Sequence, residues 1–498
     1  MLKKIASNTL AQVFSKIITA TISIVLLGLI TNYLTIELFG NYNMVFNYIF
    51  IFAFLVDLGL YAITIKEISA DKKNTEYIFW NILTLRLISA IFVILFSVLI
   101  AYFLPWYNSN FILIGIFIAS IFTFFSLINS NLLALMQSHM KMEFSIISVV
   151  INKLFVLWFT YYLIKHSIFW EDSNIRWNLE WWLLILIWIV AIWMLINMFL
   201  NYLYARKITK ITLKFDWNYI KKIFLKALPY WIALFLSVVY TKIDIILLSF
   251  MEQGIIAETS IAMYSLPLKI MDVFIIIWGF FMNSLLPSLS ENYKNKNSLK
   301  VKEILINAFK VMYAIWVIII SLWLIFKDSI VKIVANNSYL QITENNIYTS
   351  SDAFSVIFFM ILFFYLWIIF SYFLISIDKQ KKLLKISIIL TISNIVWNIL
   401  LIPIYSFVWA AIVTVITQTI FLYLVYFESK KHININIPYK FIWVISIAWI
   451  IIYYFTSYLI QKFDLWIYFN LIYWIIIFII YSLIIWKIER KKVLFLKR

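Results

Sequence analysis

The chain has 498 residues, of which 65% are hydrophobic and 13% are charged, and its mean hydropathy is +0.97. A soluble core cannot use this much apolar surface, so the composition indicates a protein that crosses a membrane many times. The absence of cysteine excludes disulfides and thiolate metal sites. The net charge of +18 is spread over short polar gaps instead of one folded basic face, which argues against a nucleic-acid partner.

Apolar segments long enough to span a bilayer, which takes about 20 residues, follow one another along the whole chain. They predict an all-α polytopic membrane protein with about 14 transmembrane helices. The predicted helices are residues 8–31, 42–64, 78–104, 110–136, 144–165, 181–204, 227–250, 259–286, 304–326, 352–376, 383–403, 406–427, 440–461 and 465–487.

The gaps between these helices alternate between Lys-rich and Lys-poor. Lys3 and Lys4 precede the first helix, residues 31–43 contain no Lys or Arg, and Lys72 and Lys73 follow the second helix. Basic residues collect on the cytoplasmic side of a membrane, so the pattern predicts that both termini are cytoplasmic. The frequent Lys, Ile, Asn and Phe suggest an AT-rich bacterial genome, and we expect a location in the bacterial cytoplasmic (inner) membrane.

The longest cytoplasmic connection, residues 205–226, divides the first twelve helices into two sets of six. We therefore predict an N-terminal lobe over residues 1–215 and a C-terminal lobe over residues 216–430. Helices 13 and 14 and a basic cytoplasmic tail make up residues 431–498. Secondary transporters are often built from such repeats, with the substrate path between them.

Motifs for the common chemistries of enzymes are missing from the sequence. The six glycines have no phosphate-loop or dinucleotide spacing, and the three histidines lie far apart in predicted loops. We expect no enzymatic activity and no cofactor. A transporter of this kind would draw on the substrate's own gradient or on an ion gradient, and the sequence leaves open whether the ion is H+ or Na+.

Four ionisable residues lie inside the spans of the N-terminal lobe, where each needs a partner or a cavity. Lys16 and Asp57 lie at matching depth and can pair, and Arg86 and Lys153 fall at about the same level. In the functional interpretation, Lys16, Arg86 and Lys153 hold a pyrophosphate. In the alternative, Lys16 and Asp57 form a structural pair, while Arg86 and Lys153 extend to the cytoplasmic surface.

The C-terminal lobe carries a second intramembrane group, which has no net charge. Lys242 and Lys269 lie at matching depth and are predicted to contact substrate, and Lys269 can pair with Asp272 along one helix face. Asp244 and Asp272, with Asp57 in the other lobe, are predicted to balance charge or to bind a coupling ion. The alternative is a structural ion pair between Lys242 and Asp272.

A motif in the eleventh and twelfth helices resembles the Wzx-type polysaccharide flippases. Asn394 and Asn398 lie one turn apart, before a helix end at Pro403 and the pair Ala410-Ala411 that opens the next helix. In two places this chain departs from the family, which usually has Gly where Ser406 and Trp409 stand. The order of weaker matches agrees, among them Asp57-Leu58-Gly59-Leu60, Lys242-Ile243-Asp244 and Ala262-Met263-Tyr264.

These flippases belong to the multidrug/oligosaccharidyl-lipid/polysaccharide (MOP) exporter superfamily. The resemblance implies two six-helix lobes around a V-shaped cavity and alternating access. It also implies a substrate of undecaprenyl pyrophosphate bearing an oligosaccharide, flipped to the external leaflet for O-antigen, lipopolysaccharide or another surface polysaccharide. Membrane lipids and the polysaccharide polymerase machinery are the partners implied. Asn394 and Asn398 are expected to be polar residues that pack helices or line the cavity.

Three rival functions are consistent with parts of the sequence. A multidrug extruder of the same superfamily would have twelve helices and an acidic cation site, whereas the inner charge here is positive. A lipid II flippase would share fourteen helices and a cationic cavity. A membrane polysaccharide polymerase or glycosyltransferase would carry a large catalytic external loop, and the longest one here, residues 327–351, has no dense charged cluster.

Overall fold

The structure is a computed structural model that describes residues 2–57, 59–139, 141, 143–165, 175–210, 215–342 and 347–463. Within these residues the chain forms thirteen α-helices and no strand. The helices are α1 Leu2–Tyr33, α2 Ile36–Asp57, α3 Leu60–Ala70, α4 Thr75–Phe103, α5 Asn110–Ser138, α6 Glu143–Lys165, α7 Ile175–Ala205, α8 Trp217–Met251, α9 Gly254–Lys294, α10 Ser298–Val334, α11 Ser350–Ser376, α12 Gln380–Lys430 and α13 Tyr439–Phe463.

The helices cover the first thirteen predicted segments, in most cases with longer ends. The second segment is divided between α2 and α3, and the eleventh and twelfth segments both lie in α12. The all-α polytopic fold is thereby confirmed. The predicted helix at residues 465–487 lies outside the described residues, so the count of fourteen stays a prediction. One predicted loop, residues 327–351, is largely ordered, because α10 continues to Val334 and a 3₁₀ turn follows at Asn337–Leu340.

The second predicted helix is broken in two at Gly59. This glycine has φ 65° and ψ 15°, a left-handed conformation that a residue without a Cβ adopts at little cost. The break ends α2 at Asp57 and lets α3 begin at Leu60 in a new direction. The aspartate therefore sits at a helix end, where its backbone carbonyl and its carboxylate can meet the same partner.

The long helix α12 is in fact two arms joined at Ser406, whose φ of 58° and ψ of −152° are not helical. In a straight helix Asn394 and Thr417 would lie about 35 Å apart at a rise of 1.5 Å per residue. Instead, Asn394 Nδ2 donates a hydrogen bond of 3.5 Å to Thr417 Oγ1. The two arms, residues 380–405 and 407–430, thus lie side by side, as the two separate predicted helices require.

Large apolar side chains cover the outside of the molecule. Along α4, Phe92, Leu95 and Phe103 expose 69%, 65% and 72% of their surface. Seven described segments are long and apolar enough by themselves to cross a membrane. An apolar exterior of this extent is stable in lipid and costly in water, so the chain is a multi-pass membrane protein.

The predicted lobes meet at the end of the molecule that carries few lysines, called here the Lys-poor end. There α2 and α9 approach so closely that a methyl group on Gly40 would lie 1.9 Å from the carbonyl oxygen of Glu258. Asn336 Nδ2, beyond the end of α10, donates to the carbonyl of Thr31 in α1 at 3.3 Å. The Lys-poor end is thus closed by contacts between α1 and α2 on one side and α9 and α10 on the other.

The connection between the lobes is anchored at the opposite, Lys-rich end. Its Asp216 caps α8 by accepting from the backbone N–H of Asn218 at 2.9 Å. The hydroxyl of Tyr77 donates to the same carboxylate, and this hydrogen bond is the main reason why the pKa of Asp216 lies below its ordinary value. Asp216 therefore stays ionised and holds the start of α8 against α4.

Candidate functional site

Lysines from four helices and from both predicted lobes act on one another electrostatically, and one of them, Lys16, is exposed at the surface. The charge of Lys16 on α1 acts on Lys153 on α6. The charges of Lys153 and of Lys242 on α8 both act on Lys269 on α9. We call these four residues the lysine cluster. Like charges repel, so in a membrane interior they stay together only if a cavity or an anion compensates for them.

Aromatic rings of α2 face two members of the lysine cluster. Lys269 Nζ lies 4.9 Å from the centroid of the Tyr42 ring and 5.6 Å from that of Phe39. Lys242 Nζ lies 5.9 Å from the centroid of the Phe50 ring. These cation–π contacts run from one predicted lobe to the other and hold the ammonium groups where the lobes meet.

One carboxylate accompanies the lysine cluster. Asp272 Oδ2 lies 3.8 Å from Lys242 Nζ, and the two side chains expose 22% (Lys242) and 49% (Asp272) of their surface. The Lys242–Asp272 pair is therefore present, as the structural interpretation of the sequence proposed. The same carboxylate also acts electrostatically on Lys269, and the four lysines with Asp272 have a net charge of +3.

Arg86 lies apart from the lysine cluster. Its side chain is fully buried, and its Nη2 forms an ion pair with Asp57. Its Nη1 donates to the carbonyl of Leu127 at 3.0 Å and to the hydroxyl of Ser130. The sequence suggested Lys16 as the partner of Asp57, but the partner is Arg86. In this conformation Arg86 faces protein groups, and we assign it to the scaffold.

A second polar site lies within the C-terminal lobe, around Asp244, which is only 2% exposed. The carboxylate accepts hydrogen bonds from Tyr264 OH at 2.8 Å, Asn398 Nδ2 at 2.8 Å and Thr414 Oγ1 at 2.6 Å. We call these four residues the Asp244 site. No cation forms a salt bridge with Asp244 among the described residues, so neutral donors make its direct contacts, and the charge of Lys242 acts on it from a greater distance.

The two asparagines of the sequence motif are both fully buried. Asn398 Nδ2 also lies 3.1 Å from Asn394 Oδ1, so Asn394 supports Asn398 from one turn away. The Oδ1 atom of Asn398 is buried and has no hydrogen-bond partner within the described part of the chain. Asn394 thus packs the two arms of α12, whereas Asn398 presents an unused oxygen next to a carboxylate.

Several residues of these sites were not predicted from the sequence. Tyr264 was noted only as part of a weak motif, and Thr414 was not singled out as a site residue. Phe39 fell in a predicted gap between helices and Tyr42 at the first residue of a predicted helix, and neither ring was singled out as a site residue. Helical spacing alone cannot reveal partners on other helices, because it does not say which faces meet.

Both sites offer groups that are suited to binding ions. The lysine cluster offers ammonium donors for a phosphate or pyrophosphate. The Asp244 site offers only oxygen ligands, which suit a proton or a hard monovalent cation. Within the described residues no group of three or more His, Asp or Glu residues has the geometry of a metal site.

Two family comparisons match this sequence, each over more than half of its length. A polysaccharide biosynthesis protein family matches residues 2–292, and the lipid II flippase MurJ family matches residues 198–479. The two matches overlap on α8 and α9, which carry Lys242, Asp244 and Lys269. No curated protein matches the sequence.

Solved structures share the fold over nearly the whole chain. The lipid II flippase MurJ in an inward closed conformation aligns with a TM-score of 0.69 at 16% identity, covering 97% of this chain and 99% of the other. An inward-facing multidrug resistance MATE family transporter of the MOP superfamily aligns at 0.66 and 12% identity, covering 83% and 94%. A MOP superfamily transporter from Pyrococcus furiosus, described as having a binding pocket of reverse polarity, aligns at 0.59 and 12% identity, covering 85% and 95%.

Proposed function

The chain belongs to the polysaccharide biosynthesis protein family, within the MOP superfamily of flippases and transporters, and from this premise we propose that it flips an undecaprenyl-pyrophosphate-linked oligosaccharide. The movement runs from the cytoplasmic to the external leaflet by alternating access, and it supplies surface polysaccharide biosynthesis, with an O-antigen precursor as one such substrate. The observation that carries the proposal is the lysine cluster, which joins both lobes around a net positive charge.

A pyrophosphate matches this cluster in charge and in position. Its two phosphate groups accept several charge-assisted hydrogen bonds, each worth about 1.5–3 kcal/mol when one partner is charged. The contacts between the lobes at the Lys-poor end prevent a bound headgroup from leaving the lysine cluster toward that end. Because the lysines come from both lobes, binding an anion between them removes their repulsion and favours movement of the lobes around it.

We propose the Asp244 site as the place where a coupling cation binds. Asp244 has no basic partner within hydrogen-bonding distance, and the free Oδ1 of Asn398 lies on the same side chain that contacts it. A carboxylate, an amide oxygen and two hydroxyls form a hard ligand set for Na+, and the carboxylate alone accepts H+. Asp57, by contrast, is already neutralised by Arg86.

The test is transbilayer movement of a fluorescent undecaprenyl-pyrophosphate oligosaccharide in liposomes that contain the purified protein and no ATP. Lys153→Ala and Lys269→Ala are compared with Lys310→Ala, a lysine of α10 whose Nζ lies 5.8 Å over the Phe441 ring, outside the cluster. We expect the cluster variants to raise the half-saturating substrate concentration about tenfold each, and the control to match wild type. If wild type moves no lipid-linked oligosaccharide with or without an ion gradient, the proposed function is wrong.

A lipid II flippase is the second candidate, favoured by the MurJ family match over residues 198–479. The same liposomes separate the two functions when they are loaded with lipid II in place of the oligosaccharide carrier. Both substrates present a pyrophosphate to the lysine cluster, so only the glycan differs. Faster movement of lipid II would assign the chain to cell-wall synthesis, and faster movement of the oligosaccharide to surface polysaccharide.

A further inference from the structure

A second carboxylate lies at the Lys-poor end of the C-terminal lobe. Glu252 directly follows α8, and its Oε2 is buried without a hydrogen-bond partner among the described residues. The hydroxyls of Ser260 on α9 and Ser406 on α12 favour the ionised form of its carboxylate. They also lie 3.1 Å from each other. Glu252, Ser260 and Ser406, called here the outer site, therefore form a closed group with one unused oxygen.

Ser406, a member of the outer site, has a strained backbone conformation. Its φ of 58° with ψ of −152° falls in a region that glycine adopts and other residues avoid. The bend of α12 needs this conformation, and a glycine would provide it without strain. A serine here keeps a hydroxyl beside Glu252, and strain kept in the fold is a feature of functional positions.

The outer site repeats the arrangement of the Asp244 site about one to two helical turns closer to the Lys-poor end. Glu252 follows Asp244 on α8, Ser260 precedes Tyr264 on α9, and Ser406 precedes Thr414 on α12. Ser260 and Tyr264 lie four residues apart on one face of α9, whereas Glu252 lies just beyond the end of α8 and Ser406 lies at the bend of α12. At 1.5 Å per residue the two carboxylates are separated by about 12 Å along α8.

The layer between the two sites is thin. Leu248 and Ala410 lie in the intervening turns of α8 and α12 and are fully buried. Each layer holds one carboxylate with hydroxyl groups from α9 and α12. Two acidic layers therefore follow one another toward the Lys-poor end, separated by one apolar layer.

We infer that the outer site receives the coupling cation from the Lys-poor side and passes it to Asp244. This inference rests on the proposed function, in which the Lys-poor end faces outward and Asp244 binds the cation. A membrane potential that is negative inside drives cations inward by about 2.3 kcal/mol per charge per 100 mV, so the cation must start from that side. A carboxylate at the mouth of a low-dielectric path raises the local cation concentration and the rate of binding.

The test measures the half-saturating concentration of the external cation and the maximal rate of flipping separately. Glu252→Gln keeps the shape of the side chain and removes its charge, and we expect it to raise the half-saturating concentration about tenfold at an unchanged maximal rate. Glu37→Gln, which removes an acid at the same end of the other lobe, is the matched control and should behave as wild type. A wild-type half-saturating concentration in Glu252→Gln would overturn the inference.

Ser406→Gly separates this role from a structural one. The substitution relieves the backbone strain and removes the hydroxyl, so we expect a higher melting temperature together with a higher half-saturating cation concentration. A purely structural serine would give the first change without the second, and that result would also count against the inference.

The outcomes keep the two proposals apart. If wild type flips no substrate, or if Asp244→Asn keeps full cation dependence, the proposed function or its coupling site has failed. If wild type depends on the cation, Asp244→Asn loses that dependence and Glu252→Gln remains as wild type, only the outer site is wrong.

Discussion

Asp57 and Asp244 are both aspartates of predicted membrane spans, but their carboxylates differ in exposure and in hydrogen-bond partners. Asp57 exposes 23% of its side chain and is paired with the buried guanidinium of Arg86. Asp244 is 2% exposed and accepts hydrogen bonds from a tyrosine, an asparagine and a threonine, with no salt bridge to any described residue. The more buried carboxylate is thus the one without a cation.

This difference indicates what each aspartate does. The Asp57–Arg86 pair joins the end of α2 to α4 and, through Leu127 and Ser130, to α5, so it fixes the break before Gly59. Its charges cancel, and it has no need of a ligand. An uncompensated carboxylate in the membrane interior is costly and persists where it has a function. Asp57 is already paired with the guanidinium of Arg86, whereas Asp244 can bind a cation.

The largest effect should follow from breaking the compensated pair. Arg86→Leu leaves the Asp57 carboxylate without its cation, and we expect a loss of about 3–5 kcal/mol of unfolding free energy. The measurement is thermal or denaturant unfolding of the purified protein in detergent. The matched control is the double variant Arg86→Leu with Asp57→Leu, which should recover most of the loss because apolar residues often replace a buried pair at little cost.

An Arg86→Leu variant that is as stable as wild type would contradict the scaffold role. If such a variant instead bound the lipid-linked substrate more weakly, the original sequence prediction of Arg86 as a pyrophosphate ligand would return.

The second prediction concerns the uncompensated carboxylate. Asp244→Asn keeps the size of the side chain and removes the charge, so the fold should lose at most about 1 kcal/mol, the worth of one hydrogen bond. The cation dependence of flipping should disappear, whereas Asp57→Asn should lower stability through Arg86. A parallel loss of stability in both variants would show that the two aspartates have the same structural role.

Much of the fold follows from hydropathy and charge alone. Thirteen of the fourteen predicted segments coincide with helices, because a span needs a long apolar run and such runs are visible in a sequence. The breaks were harder to place. Gly59 is one of only six glycines, yet its left-handed conformation depends on the turn between α2 and α3 and not on a local pattern.

The candidate sites could be predicted in part. Depth along a helix placed Lys16 and Lys153 in one predicted group and Lys242 and Lys269 in another, whereas in the structure Lys153 interacts electrostatically with both Lys16 and Lys269. Depth does not give the direction of a side chain around the helix axis, so Arg86 was grouped with the first pair although it points to Asp57. The same limit hid Tyr264 and Thr414, whose partner lies on a third helix.

A third prediction tests whether the two aspartates keep their surroundings when the lobes move. All partners of Asp57 lie in one lobe and all partners of Asp244 in the other, so separating the lobes should disturb neither. Gly40→Ala places a methyl group against Glu258 and should push α2 from α9 at a cost of about 1–3 kcal/mol to the closed arrangement. Spin labels at Thr35→Cys and Gln253→Cys, in a chain without native cysteine, would report a longer distance.

The control for this variant is Gly115→Ala, where the added methyl group meets the side chain of Val45 at 3.4 Å within one lobe. It should leave the distance between the labels unchanged. An unchanged distance in Gly40→Ala itself would mean that the contact between α2 and α9 does not hold the Lys-poor end closed.

The smallest effect should come from removing one neutral donor of the Asp244 site. Tyr264→Phe deletes a single hydrogen bond to the carboxylate, worth about 1.5 kcal/mol at the lower end for a charged acceptor, and so changes cation binding about tenfold. The direction identifies the ion. Loss of a donor destabilises the ionised carboxylate, so a coupling proton would bind at higher pH, whereas a coupling Na+ would lose a ligand and bind more weakly. The control is Tyr107→Phe, which removes a buried hydroxyl that contacts Ser249 outside the site. It should change neither the pH at which a proton binds nor the affinity for Na+, and an effect limited to Tyr264→Phe therefore reports the loss of a donor at the Asp244 site.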